Sequence, residues 1–198
     1  MLGVLCNSSP FNVNAWHACL MASLLVISMI GTSAAANEDF GYSDYYGQLT
    51  PTQVYEVVYD LNALVSYFAE QHHPQLAATM PDDMISVAGY QPEQVFLALS
   101  ELSDQLDQFS IRYDLAPMRR VARQQDVAIP AEVYLQAGIC LDAFVLNLAK
   151  IEPMNAFGSF YNLPTDGLSK TPSDVFALVE LVNRKLTLLL AVMSADDE

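Results

Sequence analysis

Apolar residues along this chain fall into four stretches with one shared spacing. Counted from Pro51, Pro92, Pro130 and Pro172, they recur at offsets 3, 7, 10, 14 and 17. The first stretch gives Val54, Val58, Leu61, Val65 and Phe68; the second gives Val95, Leu99, Leu102, Leu106 and Phe109. The third runs Val133, Ala137, Cys140 and Phe144 before breaking at Asn147, and the fourth runs Val175, Val179, Val182, Leu186 and Leu189. Alternating steps of four and three draw a heptad-like stripe down one helix face, the pattern of helices packed at shallow crossing angles. Each helix is expected to run about 18 to 20 residues, roughly 28 Å.

Every copy opens in the same way: Thr50-Pro51-Thr52-Gln53-Val54-Tyr55, Gln91-Pro92-Glu93-Gln94-Val95-Phe96, Ile129-Pro130-Ala131-Glu132-Val133-Tyr134 and Thr171-Pro172-Ser173-Asp174-Val175-Phe176. The prolines lie 41, 38 and 42 residues apart. Proline suits a first helical position, because its φ is preset and the amide hydrogen it lacks would be unpaired there anyway. Gln53, Gln94, Glu132 and Asp174 follow two positions later, placed to favour the exposed amides of the first turn. Thr50 and Thr171 are good N-caps, whereas Gln91 and Ile129 are poor ones.

Between these helices lie Pro74, Pro81, Pro117, Pro153 and Pro164. An interior proline costs a helix about 3 kcal/mol, so a second long helix per unit is disfavoured. The expected fold is all-α and four-helix-bundle-like, with four repeated ~20-residue helices and irregular ~20-residue crossovers. The bundle domain is placed at residues 50–198, with repeats at 50–90, 91–128, 129–170 and 171–198. A crossover of that length can return along a helix or turn at its end, which leaves the up-down order open.

The phrase Lys170-Thr171-Pro172-Ser173-Asp174-Val175-Phe176, with its three echoes, resembles a repeated phrase of uncharacterised exported helical proteins of bacteria. The resemblance spans most of the chain that follows residues 1–36. It implies secretion and an all-α fold, and no activity.

Upstream, residues 18–30 form an uncharged apolar run followed by small residues through Ala34 and Ala36, then by Asn37-Glu38-Asp39. This reads as a signal peptide over residues 1–36, cleaved after Ala36. An uncleaved anchor is the alternative, although the run is short of the roughly 20 residues that span a bilayer, so no stable membrane span is expected after cleavage. Residues 37–49, with Tyr42, Tyr45 and Tyr46 among acids and glycines, form an expected flexible acidic arm. Cleavage leaves Cys140 as the only thiol; its place on the apolar stripe makes it a core residue.

Composition narrows the functional classes. The chain is 53% apolar and 16% charged with a net charge of −15, which excludes a disordered polyelectrolyte and opposes nucleic acid and anionic membrane surfaces. Twelve acids precede the first basic residue of the chain, Arg112. Arg112, Arg119, Arg120 and Arg123 then place half of all basic residues in one crossover. Asp107, Asp114 and Asp126 flank them, so internal ion pairing is expected, with a docking patch for an acidic partner protein as the sharper alternative.

Three other sets of residues are candidates. Tyr55, Phe96, Tyr134 and Phe176 share one offset. They pack against neighbouring segments, or, in a parallel bundle, gather within about 10 Å as a pocket of several hundred Å³ for an apolar or aromatic small molecule. His72 and His73 are weak metal candidates for copper or zinc, because adjacent side chains on a helix point about 100° apart and a site needs three or four ligands. Nucleophilic catalysis has little support: there is no Gly-x-Ser-x-Gly elbow, phosphate loop or dinucleotide fingerprint, and the histidines are remote in sequence from Cys140. No cofactor is implied. The expected protein is an exported, periplasmic or secreted, non-enzymatic helical interaction or structural module. A small-molecule-binding bundle is the alternative, and metal handling a weaker one.

Overall fold

The computed structural model describes residues 49–123, 126–153, 157–161 and 163–195. By internal contacts the chain divides into Met1–Tyr45 and Tyr46–Glu198, and all described residues belong to the second unit. The leader assigned to residues 1–36 and nearly all of the arm lie outside the described residues. The helices are α1 (Pro51–His72), α2 (Pro74–Ala77), α3 (Pro92–Ile111), α4 (Pro130–Leu148) and α5 (Pro172–Ala195), with a 3₁₀ turn at Gly158–Phe160. No strand occurs among the described residues, so the all-α, bundle-like expectation holds.

Each long helix starts at its repeat proline, and the start is closed by one bond in all four. The side chain two residues past the proline reaches back to the amide before it: Thr50 N donates to Gln53 Oε1 (2.8 Å) and Gln91 N to Gln94 Oε1 (2.8 Å). Ile129 N likewise donates to Glu132 Oε2 (3.1 Å), and Thr171 N to Asp174 Oδ2 (2.7 Å). Gln91 and Ile129 are therefore not left uncapped, because the acceptor comes from inside the helix.

The order left open by the sequence is settled by both ends of the bundle. At one end all four prolines and the four valines at offset 3 (Val54, Val95, Val133 and Val175) surround one small cavity of about 30 Å³. Toward the other end Phe68, Phe109 and Phe144 meet, with ring centroids 5.2, 6.2 and 5.3 Å apart. Four starts at one end and late offsets together at the other make the four long helices parallel. Packing runs around a square: α1 and α3 each pack on both α4 and α5, so α1 faces α3, and α4 faces α5, across the centre.

The stripe read from the sequence is the core. Val58, Leu61, Val65, Leu99, Leu102, Leu106, Val179, Val182, Leu186 and Leu189 are all fully buried. Asn147, where the third stripe breaks, is buried too; its Nδ2 donates to Ser110 Oγ on α3 and to the Ala143 carbonyl, both at 3.0 Å. Helix α4 is also the one described helix long and apolar enough to cross a membrane, by length and composition. Its apolarity serves packing: residues around much of its circumference are buried against α1, α3 and the loop covering it.

Parallel helices force each connector back along the bundle, and polar side chains hold each one down. The first connector, residues 78–91, is held by α5: Lys185 Nζ sits 3.3 Å from Asp82 Oδ1 and Arg184 Nη2 donates to the Asp83 carbonyl (2.8 Å). On the second, residues 112–129, Arg120 pairs with Asp104 (2.9 Å) and Asp107 (2.6 Å), while Val121 N donates to Gln136 Oε1 on α4 (3.0 Å). Glu93 of α3 anchors the same connector further along, accepting from Arg123 Nη1 and Nη2 (3.0 and 2.8 Å) and from Ala128 N (2.7 Å). The third, residues 149–171, gives Leu163 N to Asp60 Oδ1 (3.0 Å) and Lys170 N to Thr52 Oγ1 (2.9 Å) on α1.

Two outcomes test this architecture. Phe109→Ala removes the ring between Phe68 and Phe144 in a site with no solvent exposure, and is expected to lower stability by about 3–5 kcal/mol in urea unfolding followed by circular dichroism. Glu93 sits below its ordinary carboxyl value of 4.5, chiefly through the Ala128 amide and then through Arg123. A depressed folded value means that the stabilisation is complete above the unfolded value and fades as pH falls through the folded one. Glu93→Gln is accordingly expected to unfold at lower urea than the parent at pH 7, with the gap constant down to about pH 5 and closing below about 4.5.

Candidate functional site

The repeated aromatics are in register, as parallel helices require, yet they do not line the axial cavity. That space is walled by prolines and valines and is about 30 Å³, close to the volume that one water occupies. The rings face the connectors. Tyr55 lies under Lys170, whose Nζ is 4.6 Å from the ring centroid, and its hydroxyl approaches Met84 Sδ at 3.9 Å. Phe96 lies under the Arg123 guanidinium at 5.5 Å, and Phe176 stacks on Tyr90 at 4.0 Å. Tyr134 is half-buried and packs against the core. Three of these rings thus serve as seats for returning chain, two of them through a cation over the ring face.

The arginines divide by partner. Arg120 and Arg123 make the ion pairs described above. Arg112 crosses to the end of α5, donating to the Met193 carbonyl (2.8 Å) and Ser194 Oγ (2.7 Å), where carbonyls without helical partners favour a cation. Arg119 is exposed and has no ion-pair or hydrogen-bond partner among the described residues. It edges a groove of about 410 Å³ between the second connector and α4, whose apolar lining includes Leu115, Met118, Ile139 and Leu146 and whose charged lining also includes Asp142. Internal pairing therefore accounts for Arg120 and Arg123, helix capping accounts for Arg112, and one guanidinium is left facing solvent.

Cys140 is fully buried, with Ser103 Oγ 3.4 Å from its sulfur, and burial pushes its thiol up to about 11. Such a thiol carries almost no thiolate near neutral pH, which fits the core assignment. Ser103 and Gln136 form a short buried chain with it, Gln136 Nε2 donating to Ser103 Oγ at 2.6 Å.

Two polar groupings were not legible in the sequence. Lys185, 2% exposed, donates to Ser66 Oγ at 2.8 Å. The atoms are those of a serine–lysine dyad, but the same amine also faces Asp82, and Ser66 sits mid-helix where neighbouring amides are engaged in helix bonds and none is left for an oxyanion. Its role here is to pin the first connector. The second grouping is Tyr67, Glu152 and His72. Tyr67 OH donates to Glu152 Oε2 at 2.7 Å, while Oε1 lies 2.9 Å from His72 Nε2. Glu152 comes from the third connector, and no spacing within the sequence links it to His72.

Among the described residues, no group of three or more His, Cys, Asp and Glu side chains converges as a metal site. Comparison with known proteins yields no matching family model, no match among curated proteins and no match among solved structures.

Proposed function

We propose that this chain is an exported, non-enzymatic interaction module, and that it docks an apolar segment of a partner protein in the groove between the second connector and α4. The observation that carries this reading is the unpaired Arg119 beside exposed apolar lining. Leu146 is 59% exposed on that face, whereas the other three arginines of the connector are committed to the fold. A groove of about 410 Å³ accepts a few side chains of a bound segment rather than a whole domain. With Arg119 and Asp142 both on its lining, it favours a partner segment carrying an acid and a base around an apolar centre.

Arg119→Glu with Leu146→Asp is expected to abolish capture of the partner recovered by the parent protein, with circular dichroism and melting temperature unchanged. Arg119→Glu alone is expected to weaken capture by about tenfold, the scale of one reversed charge at an interface edge. Arg123→Glu removes the Glu93 clamp and is expected to lower the melting temperature instead. Capture that survives the double change would overturn the reading. Export rests on the apolar run at 18–30 and the small residues before Asn37. Mass spectrometry of the protein purified from its own cells is expected to find Asn37 as the first residue, and an intact Met1 would remove the export claim.

A further inference from the structure

At the end of the bundle opposite the prolines, α1 ends at His72 and is followed directly by His73, and the surroundings of the pair differ from those of a plain helix end. Glu152 accepts from Tyr67 OH through one carboxylate oxygen and faces His72 Nε2 with the other. Glu152 thus engages the Nε2 edge of the ring and leaves Nδ1 turned away from the carboxylate. When Nε2 donates to a carboxylate, a neutral imidazole carries its lone pair on Nδ1. Carboxylate-held imidazoles of this kind are the arrangement that metal-binding histidines use.

The structure also removes the geometric objection to His73. Its backbone, at φ −137° and ψ 59°, has left the helix, so its side chain does not follow the helical rotation that would separate adjacent residues by about 100°. Both imidazoles rest on the single Phe68 ring, with centroids at 4.8 and 5.9 Å. Both line one cleft of about 480 Å³ together with Pro74, Gln75, Leu76 and Val192. The His73 ring has no hydrogen-bond partner among the described residues, which leaves its nitrogens available. The cleft lies at the carbonyl end of α1, the negative pole of that helix, which favours a cation.

We propose that His72 and His73 form an open, exchangeable site for a borderline divalent transition metal of the Cu²⁺, Ni²⁺ and Zn²⁺ class, with Glu152 and Tyr67 positioning His72. Two imidazoles are the protein's share, and water fills the remaining positions, which separates this site from a closed structural zinc centre. The site is independent of the docking groove.

The test is calorimetric titration of the metal-stripped, tag-free full chain with CuCl₂, NiCl₂, ZnCl₂ and MgCl₂, together with electron paramagnetic resonance of the Cu²⁺ form. One saturable equivalent of Cu²⁺ or Ni²⁺ is expected, with two nitrogen ligands in the resonance spectrum and no Mg²⁺ binding, since Mg²⁺ takes oxygen ligands. The His72→Ala, His73→Ala double variant is expected to lose that equivalent, and His73→Ala alone, which breaks no hydrogen bond, to weaken it by at least tenfold. Glu152→Gln is expected to weaken it by about tenfold, the scale of an outer-sphere partner, with the helical signal unchanged. Absence of saturable binding in the parent protein would overturn the proposal. So would an equivalent whose affinity and nitrogen signature survive the double variant.

Discussion

The four long helices point the same way, and most of the other features answer to that constraint. Parallel neighbours cannot be joined by a short turn, because the chain leaves one helix at the end opposite to where the next begins. About 30 Å must be recrossed each time, which takes roughly nine residues of extended chain. The connectors are about twice that long, so each has slack that the fold must absorb. Polar side chains from the helix flanks do so, each bonding backbone or a charged group of the passing segment. The like poles of four helix dipoles also meet at the proline end, and the back-reaching Gln53, Gln94, Glu132 and Asp174 place an acceptor on each of them.

This accounts for where the chain's few basic residues go. A net charge of −15 with eight cations leaves each cation in demand, and most are used on connectors or helix ends. Arg123 and Lys170 do two things at once, each pairing with a carboxylate and covering one of the repeated rings. The repetition of an aromatic at one offset therefore has a structural cause. In three of the copies the ring is an apolar seat near the helix start for a passing connector, while Tyr134 packs against the core. Two of the eight basic side chains, Arg119 and Lys150, have no partner among the described residues, and Arg119 is the one that edges the groove beside α4.

The helices were legible because their signals are local. A proline, an acceptor two residues on and a stripe stepping by four and three are all contained within one helix, and Cys140 could be assigned to the core from its offset alone. Direction was not legible, since a stripe reads the same for parallel and antiparallel neighbours. Nor were the pins: Glu93 with Ala128, Lys185 with Ser66 and Asp60 with Leu163 join residues 35, 119 and 103 positions apart. Gln91 and Ile129 are poor N-caps by their own side chains, and the bond that closes each of those helices comes from the third residue inside it.

The histidine pair shows how a conclusion drawn from helix geometry can turn on one backbone torsion. Inside a helix, His72 and His73 would point apart. Pro74 disfavours the helical region for the residue before it, so His73 breaks out and its ring, like that of His72, contacts Phe68. The sequence carries this signal in the dipeptide His73-Pro74, which ends the helix between the two histidines rather than after them. Glu152 could not be anticipated in the same way, because it arrives on a connector whose path is dictated by the parallel order of α4 and α5. The bundle's direction thus places an acid from one repeat against an imidazole from another, and the carboxylate that ties the third connector to Tyr67 also holds the His72 ring through Nε2.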